Sequence, residues 1–274
     1  MKKTAILAFI IALAFLSCDD FYGSSFGSSR EYDWRNIHLT TSNVSDWVQA
    51  TVGNPPLADA VTLAIDHKLA GDLSPGDRAI FLRYASRLAM EASGVGTSLL
   101  LNATEHLGSF VSNANPEDLE ATIREMLDGL QRDFKANGGP EAAERLARMV
   151  NSSISRPTGI PRFDQSYISM VGPTDVAEAV IVLVLGELEK NDYFEIDSLD
   201  DLDHLGLELS GNNPPLVKVT EGSNPEPGAI AIAAYLNLIA ENQEKFENNP
   251  LTKAINDVLI TQGGDIGGDD ESEL

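Results

Sequence analysis

The sequence predicts an all-α protein of short-linked helical hairpins, and three observations carry that expectation. Apolar residues recur with helical spacing almost without a break from residue 42 to residue 152. Asn, Ser and Pro stand where helices should begin, and Gly-rich pairs where one should end. Two later runs, 179–185 and 229–236, are apolar on every side, as a helix at the centre of a core must be.

Asn54-Pro55-Pro56 supplies a cap and early prolines before a helix carrying Leu57, Val61, Ala64 and Leu69 on one face. Ser74-Pro75-Gly76-Asp77 opens the next in the same manner, with Phe81, Ala85 and Leu88 inward. Gly94-Val95-Gly96-Thr97 precedes one bearing Leu100, Leu107 and Phe110. The clearest helix covers 115–136: Asn115 caps, Pro116 suits the first turn, Glu117 and Asp118 complement the dipole, and Leu119, Ile123, Met126, Leu127, Leu130 and Phe134 form one stripe. Asn137-Gly138-Gly139-Pro140 ends it and starts another with Ala143, Leu146, Ala147 and Val150 inward. Connections this short make successive helices antiparallel neighbours. The expected result is a stack of hairpins, either a bundle or a degenerate tetratricopeptide-like solenoid, although no register with the repeat length of that family is found.

Residues 151–173 interrupt the pattern with Ser, Pro and Gly. Arg156 and Arg162 are either solvated on a surface crossover or form a rim that holds an anionic ligand or partner. Pro173-Thr174-Asp175 then starts the first all-apolar helix; its β-branched residues also permit a buried strand. Pro227-Gly228 starts the second, expected to continue to about Phe246, and the alanines in both let them pack closely. Between them lies a long acidic loop with an edge strand at Leu216, Val217, Lys218 and Val219. Asp197, Asp200, Asp201 and Asp203 are candidate Ca²⁺ ligands by their oxygen chemistry, but they lack the glycine and distal glutamate of an EF-hand, and a solvated loop is the competing reading. A last helix over 251–261 leads into an acidic Gly-Asp tail, 263–274, of disordered composition.

The amino end sets the compartment. Lys2 and Lys3 precede an uncharged apolar run, Ala5 to Leu16, that spans roughly 18 Å at ~1.5 Å per residue, too short for a ~30 Å hydrocarbon core. It reads as an export signal. Phe15-Leu16-Ser17-Cys18 resembles the lipobox of bacterial lipoproteins, in a relaxed form similar to that of spirochaetes, with Phe15 and Leu16 departing from the usual Leu and small residue. The resemblance implies cleavage before Cys18, a covalent lipid on that residue, and export to the periplasmic face or surface of a bacterial membrane. An ordinary secretory signal is the alternative. The expected divisions are a signal peptide over 1–17, a lipidated cysteine with Gly/Ser-rich tether over 18–41, a helical body over 42–262 divisible into 42–152 and 174–262, and the tail.

Cys18 is the chain's sole cysteine, so its lipidation leaves no thiol for disulfides, zinc-thiolate sites or nucleophilic catalysis. Net charge is −23, or −25 without Lys2 and Lys3, which repels nucleic acid and anionic lipid head groups. His38, His67, His106 and His204 have no metal-pair spacing, and no phosphate loop, dinucleotide fingerprint or nucleophile elbow occurs. The expected function is therefore a non-enzymatic, lipid-anchored interaction, scaffold or transporter-accessory module, held at the membrane by its lipid, with an envelope protein as partner and no cofactor. The alternatives are a carrier of a small apolar or lipidic ligand between the two apolar helices, and an envelope hydrolase in which two buried carboxylates share a cleft.

Overall fold

The computed structural model describes residues 32–95, 129, 131–191, 205–210 and 216–246. Among them the protein is mainly helical, with two small antiparallel sheets. Cys18, the signal run, the expected helices at 97–110 and 251–261, most of the expected helix at 115–136, the four candidate Ca²⁺ aspartates and the tail lie outside the described residues.

Helix α1 (Val44–Ala50) leads to α2 (Pro55–Leu69) and α3 (Pro75–Ala92). Asn54 accepts from the Leu57 amide, and Ser74 Oγ accepts from the Asp77 amide at 3.1 Å while donating to Asp77 Oδ2 at 2.7 Å. These are the capping residues that the sequence marks. Arg78, early in α3, donates to Leu69 O and Gly71 O at the end of α2, while Gly53 N, just before α2, donates to Glu91 Oε2 near the end of α3. Opposite ends meet, so α2 and α3 form an antiparallel hairpin.

The stack stops there. Helix α4 (Gly139–Asn151) pairs Arg145 with Asp59 and Arg148 with Asp66, and both pairs ascend together, so α4 runs in the same sense as α2. Its start is fixed by a close approach: a Cβ on Gly139 would sit 2.2 Å from the buried ring of Phe134, in the helical turn at 131–136.

The crossover over 151–173 is no plain surface loop. It holds β1 (Ile154–Ser155) paired with β2 (Arg162–Phe163), then α5 (Gln165–Met170), and it sends Phe163, Tyr167 and Val171 into the core. Helix α6 (Pro173–Asn191) resolves the helix-or-strand ambiguity in favour of helix. After it, β3 (Leu207–Ser210) and β4 (Leu216–Val219) make a hairpin pairing Leu207 with Val219 and Leu209 with Val217. The expected strand at 216–219 is present; β3, its partner, was not foreseen.

Helix α7 (Pro227–Glu241) is the centre. Every residue from Gly228 to Ala240 is buried. It ends at Glu241, five residues earlier than expected, because Asn242 adopts φ −130°, ψ 45°; Gln243–Phe246 is a separate short turn, α8. The two apolar helices pack together as the alanines suggested, and α4, α6, both hairpins, α8 and Tyr167 of α5 surround α7. A helix apolar on all sides needs neighbours on all sides, and successive hairpins laid in a row cannot supply them. That is why the described residues form neither a solenoid nor a simple bundle.

One hydrophobic cluster draws on both of the expected body segments. The expected tether also ends sooner than residue 41: Tyr32, Trp34 and Ile37 pack against the body, Leu39 is 2% exposed, and the Trp34 ring lies 5.2 Å from that of His67. No helix among the described residues is long and apolar enough to cross a membrane.

Helices α4 and α6 cross where Gly186 faces Ala143; a Cβ on Gly186 would fall 2.4 Å from the Ala143 Cβ. Alanine at 186 gains about 1 kcal/mol of helix propensity but overpacks the crossing by about 1–3 kcal/mol. Gly186→Ala should therefore lower unfolding free energy by up to about 2 kcal/mol in urea titration, and Ala143→Gly added to it should restore the midpoint. A Gly186→Ala protein as stable as wild type would show that the crossing is not tight.

Candidate functional site

Chemistry in this core is confined to a few polar side chains on or beside α7, and each has a definable partner. Asn237, 1% exposed, uses its whole amide: Nδ2 donates to Val217 O at 2.7 Å and to Pro161 O at 3.1 Å, and Oδ1 accepts from Val217 N at 2.6 Å. The side chain thus takes the place of a neighbouring strand for β4 and also grips the loop before β2.

Two residues earlier on α7, Tyr235 meets Tyr167 of α5, with hydroxyl oxygens 3.1 Å apart and Phe163 packed on both rings. Burial pushes both phenols well above the usual tyrosine range, so both stay protonated and neutral at ordinary pH. They are donors, not bases. Near them Asp175, in the first turn of α6, accepts from Gly172 N at 2.7 Å and from Arg83 Nε at 3.2 Å. Lys245 of α8 donates to Ile168 O at 2.5 Å, and burial holds its ammonium below the usual lysine range, against the opposing pull of Asp175. This junction ties α3, α5, α6, α7 and α8 together.

At the other end of α7, Glu187 of α6 is 5% exposed and lies against Gly228; a Cβ there would fall 2.0 Å from Glu187 Oε1. Lys190 lies 3.6 Å from both Glu187 and Glu226. Desolvation raises the Glu187 pKa, Lys190 opposes the rise, and Glu226 adds to it. Glu226 is solvent-exposed, so the two acids flank a lysine at the surface.

Arg156 and Arg162 are placed apart. Arg162 forms a bond with Glu241, the last residue of α7, at 2.5 Å. Arg156 donates to Asn151 Oδ1 at 3.0 Å, and Asn151 in turn donates to Pro227 O, the first residue of α7. Their anchors are separated by the length of a fifteen-residue helix, roughly 20 Å. An anion approaching Arg162 would have to displace Glu241.

The other candidates, Cys18 and Asp197, Asp200, Asp201 and Asp203, lie outside the described residues. Among the described residues no three His, Cys, Asp or Glu side chains converge as a metal site would require. Asn237, Tyr235, Tyr167 and Glu187 were missed in the sequence. The signal was present for two of them, since Tyr235 and Asn237 are polar residues inside an otherwise apolar helix. Comparison with protein-family models, with curated proteins and with solved structures finds no match.

Asn237→Leu keeps the branching and heavy-atom count of the side chain but strands Val217 N, Val217 O and Pro161 O in the core. At about 1–3 kcal/mol for each unsatisfied group, the loss should reach about 3 kcal/mol or more in urea unfolding, with faster hydrogen exchange across β4. A loss under about 1 kcal/mol would mean that water replaces the amide.

Glu187 gives a pH signature. Its folded pKa is raised above the unfolded value of about 4.3, so its contribution is fully present below that value and is lost as pH climbs through the folded pKa. Glu187→Gln removes that loss. The melting temperature of the variant relative to wild type should thus rise from pH 4 to pH 7; a constant or falling difference would show that Lys190 outweighs burial.

Proposed function

We propose that the protein is a lipid-anchored component of a bacterial cell envelope that binds a protein partner and performs no catalysis itself. The observation that carries this reading is Ser17-Cys18: the sole cysteine of the chain stands at the end of an uncharged apolar run that follows Lys2 and Lys3. A diacylglyceryl group with a further acyl chain on Cys18 would hold the body at a membrane without any spanning helix.

The character of the body supports the interaction part. Several of its described cations are engaged within the fold: Arg83, Arg145, Arg148, Arg162 and Lys218 each pair with a carboxylate on another element. With a net charge of −23 for the chain, the surface is left strongly acidic. Such a surface stands off from anionic lipid and favours a partner with a basic face, one whose association weakens as salt rises. The tyrosines and acids inside the core are engaged in holding elements together, which fits a scaffold better than a reaction centre.

The test is native mass spectrometry of detergent-extracted protein from its own cells, beside a Cys18→Ser form. The expected result is an acylated chain starting at Cys18 that fractionates with membranes and retains a protein partner, whereas Cys18→Ser leaves the membrane fraction. An unacylated chain would overturn the anchor, and an acylated chain carrying a small apolar adduct in place of a protein would replace the scaffold reading with a carrier.

A further inference from the structure

The junction between the turn at 131–136 and α4 contains the chain's single Asn-Gly dipeptide, Asn137-Gly138, followed by Gly139, and both glycines are required by the fold. Gly138 occupies the left-handed region at φ 77°, ψ 26°, where an L side chain is strained. Gly139 carries the Phe134 ring where a Cβ would be. The backbone that positions α4 therefore also places, directly after an exposed asparagine, the one residue with no side chain to shield its amide nitrogen. That nitrogen is weakly engaged, 3.5 Å from Lys135 O. The Asn137 side chain itself is exposed, donates to Asp133 O at 2.7 Å, and packs so close to Gly94 that a Cβ there would fall 2.7 Å from Asn137 Nδ2.

We propose that Asn137 is a site of spontaneous deamidation whose rate is set by opening of this junction. The Gly138 nitrogen, giving its proton to solvent base, attacks Asn137 Cγ; the C–N bond to Nδ2 breaks and ammonia leaves with the proton returned to it. The resulting succinimide adds water at either carbonyl, giving aspartate or isoaspartate, so the net change is water consumed and ammonia released, with no oxidant or reductant. In the closed junction Asn137 N and Nδ2 both donate to Asp133 O, the amide at 3.0 Å, and this helical geometry holds Cγ away from the attacking nitrogen. Reaction follows only when those bonds open. The product replaces a donor to Asp133 O with a carboxylate that repels it, and isoaspartate also adds a methylene to the backbone between Phe134 and α4. Each conversion thus loosens the contact that seats α4 beside the end of α3, and adds one negative charge.

The experiment incubates the full chain at mildly alkaline pH, folded and in concentrated urea, and maps acid and isoacid products by peptide mass spectrometry. The expected outcome is conversion at Asn137 ahead of every other asparagine, about tenfold or more slower in the folded protein than in urea. Asn137→Gln should fold with a wild-type circular dichroism spectrum and lose the reaction, and Asn137→Asp should melt at a lower temperature than wild type. Equal rates in the two conditions, earlier conversion elsewhere, or no conversion in the folded protein would each overturn the proposal.

Discussion

The amide of Asn237 is the interaction on which the arrangement depends. Helix α7 is surrounded, so it can touch the backbone of a strand only through a side chain able to replace a strand's own donor and acceptor. Asparagine does this, offering one acceptor and two donors from a single planar group. Because its third bond goes to Pro161 O, the same side chain fixes two otherwise separate hairpins, β1–β2 and β3–β4, to one point on the central helix. Two-stranded hairpins are marginal alone in water. Here they are ordered by docking.

From that point outward, the fold is held by close approaches and by charge pairs between elements. Gly139, Gly186 and Gly228 each stand where a Cβ would collide with Phe134, Ala143 or Glu187. These contacts let helices approach to distances that side chains would forbid, and dispersion at such spacing adds to burial. The ion pairs Arg145–Asp59, Arg148–Asp66, Arg83–Asp175 and Arg162–Glu241 join elements far apart in sequence at the edge of the core. Individually such exposed pairs contribute little, about 0–1 kcal/mol. Their larger effect is on direction and specificity, since each fixes which element lies beside which, while the acidic net charge of the chain comes from the excess of acids over bases.

Helices were legible wherever one rule dominated. Caps at Asn54 and Ser74 and the stripes on α2, α3 and α4 follow from local periodicity, and the structure places those residues as expected. What periodicity omits is how elements come together. Nothing local shows that α4 would run alongside α2, because the direction is a matter of tertiary packing, marked by Asp59 and Asp66 meeting residues about eighty positions away. Strand β3 escaped notice because Leu207-Glu208-Leu209-Ser210 is too short to show a clear alternation, and its pairing depends on β4. The end of α7 was misjudged because no Gly or Pro stands between Glu241 and Phe246 to mark a stop, while the break at Asn242 is conformational. Of the candidate site residues, the arginines were visible as charges in a charge-poor segment, yet their pairing with Asn151 and Glu241 is tertiary.

A buried asparagine must be desolvated, and its three hydrogen bonds offset that cost only while all of them are made, so burial alone does not account for its place. Its value lies in register. In β4, Val217 faces the core fully buried while Lys218, the next residue, pairs with Glu208 on the opposite face. A slip of one residue would exchange them and aim Lys218 at α7. Four-residue strands pack too little surface to forbid that slip by hydrophobic contact alone. The Asn237 amide adds a geometric condition: it accepts from and donates to the two backbone groups of a single residue, so a strand slipped by one keeps both bonds only by bringing Lys218 against α7. In a chain with so many unneutralised acids, an amide achieves this without adding a further charge to the core.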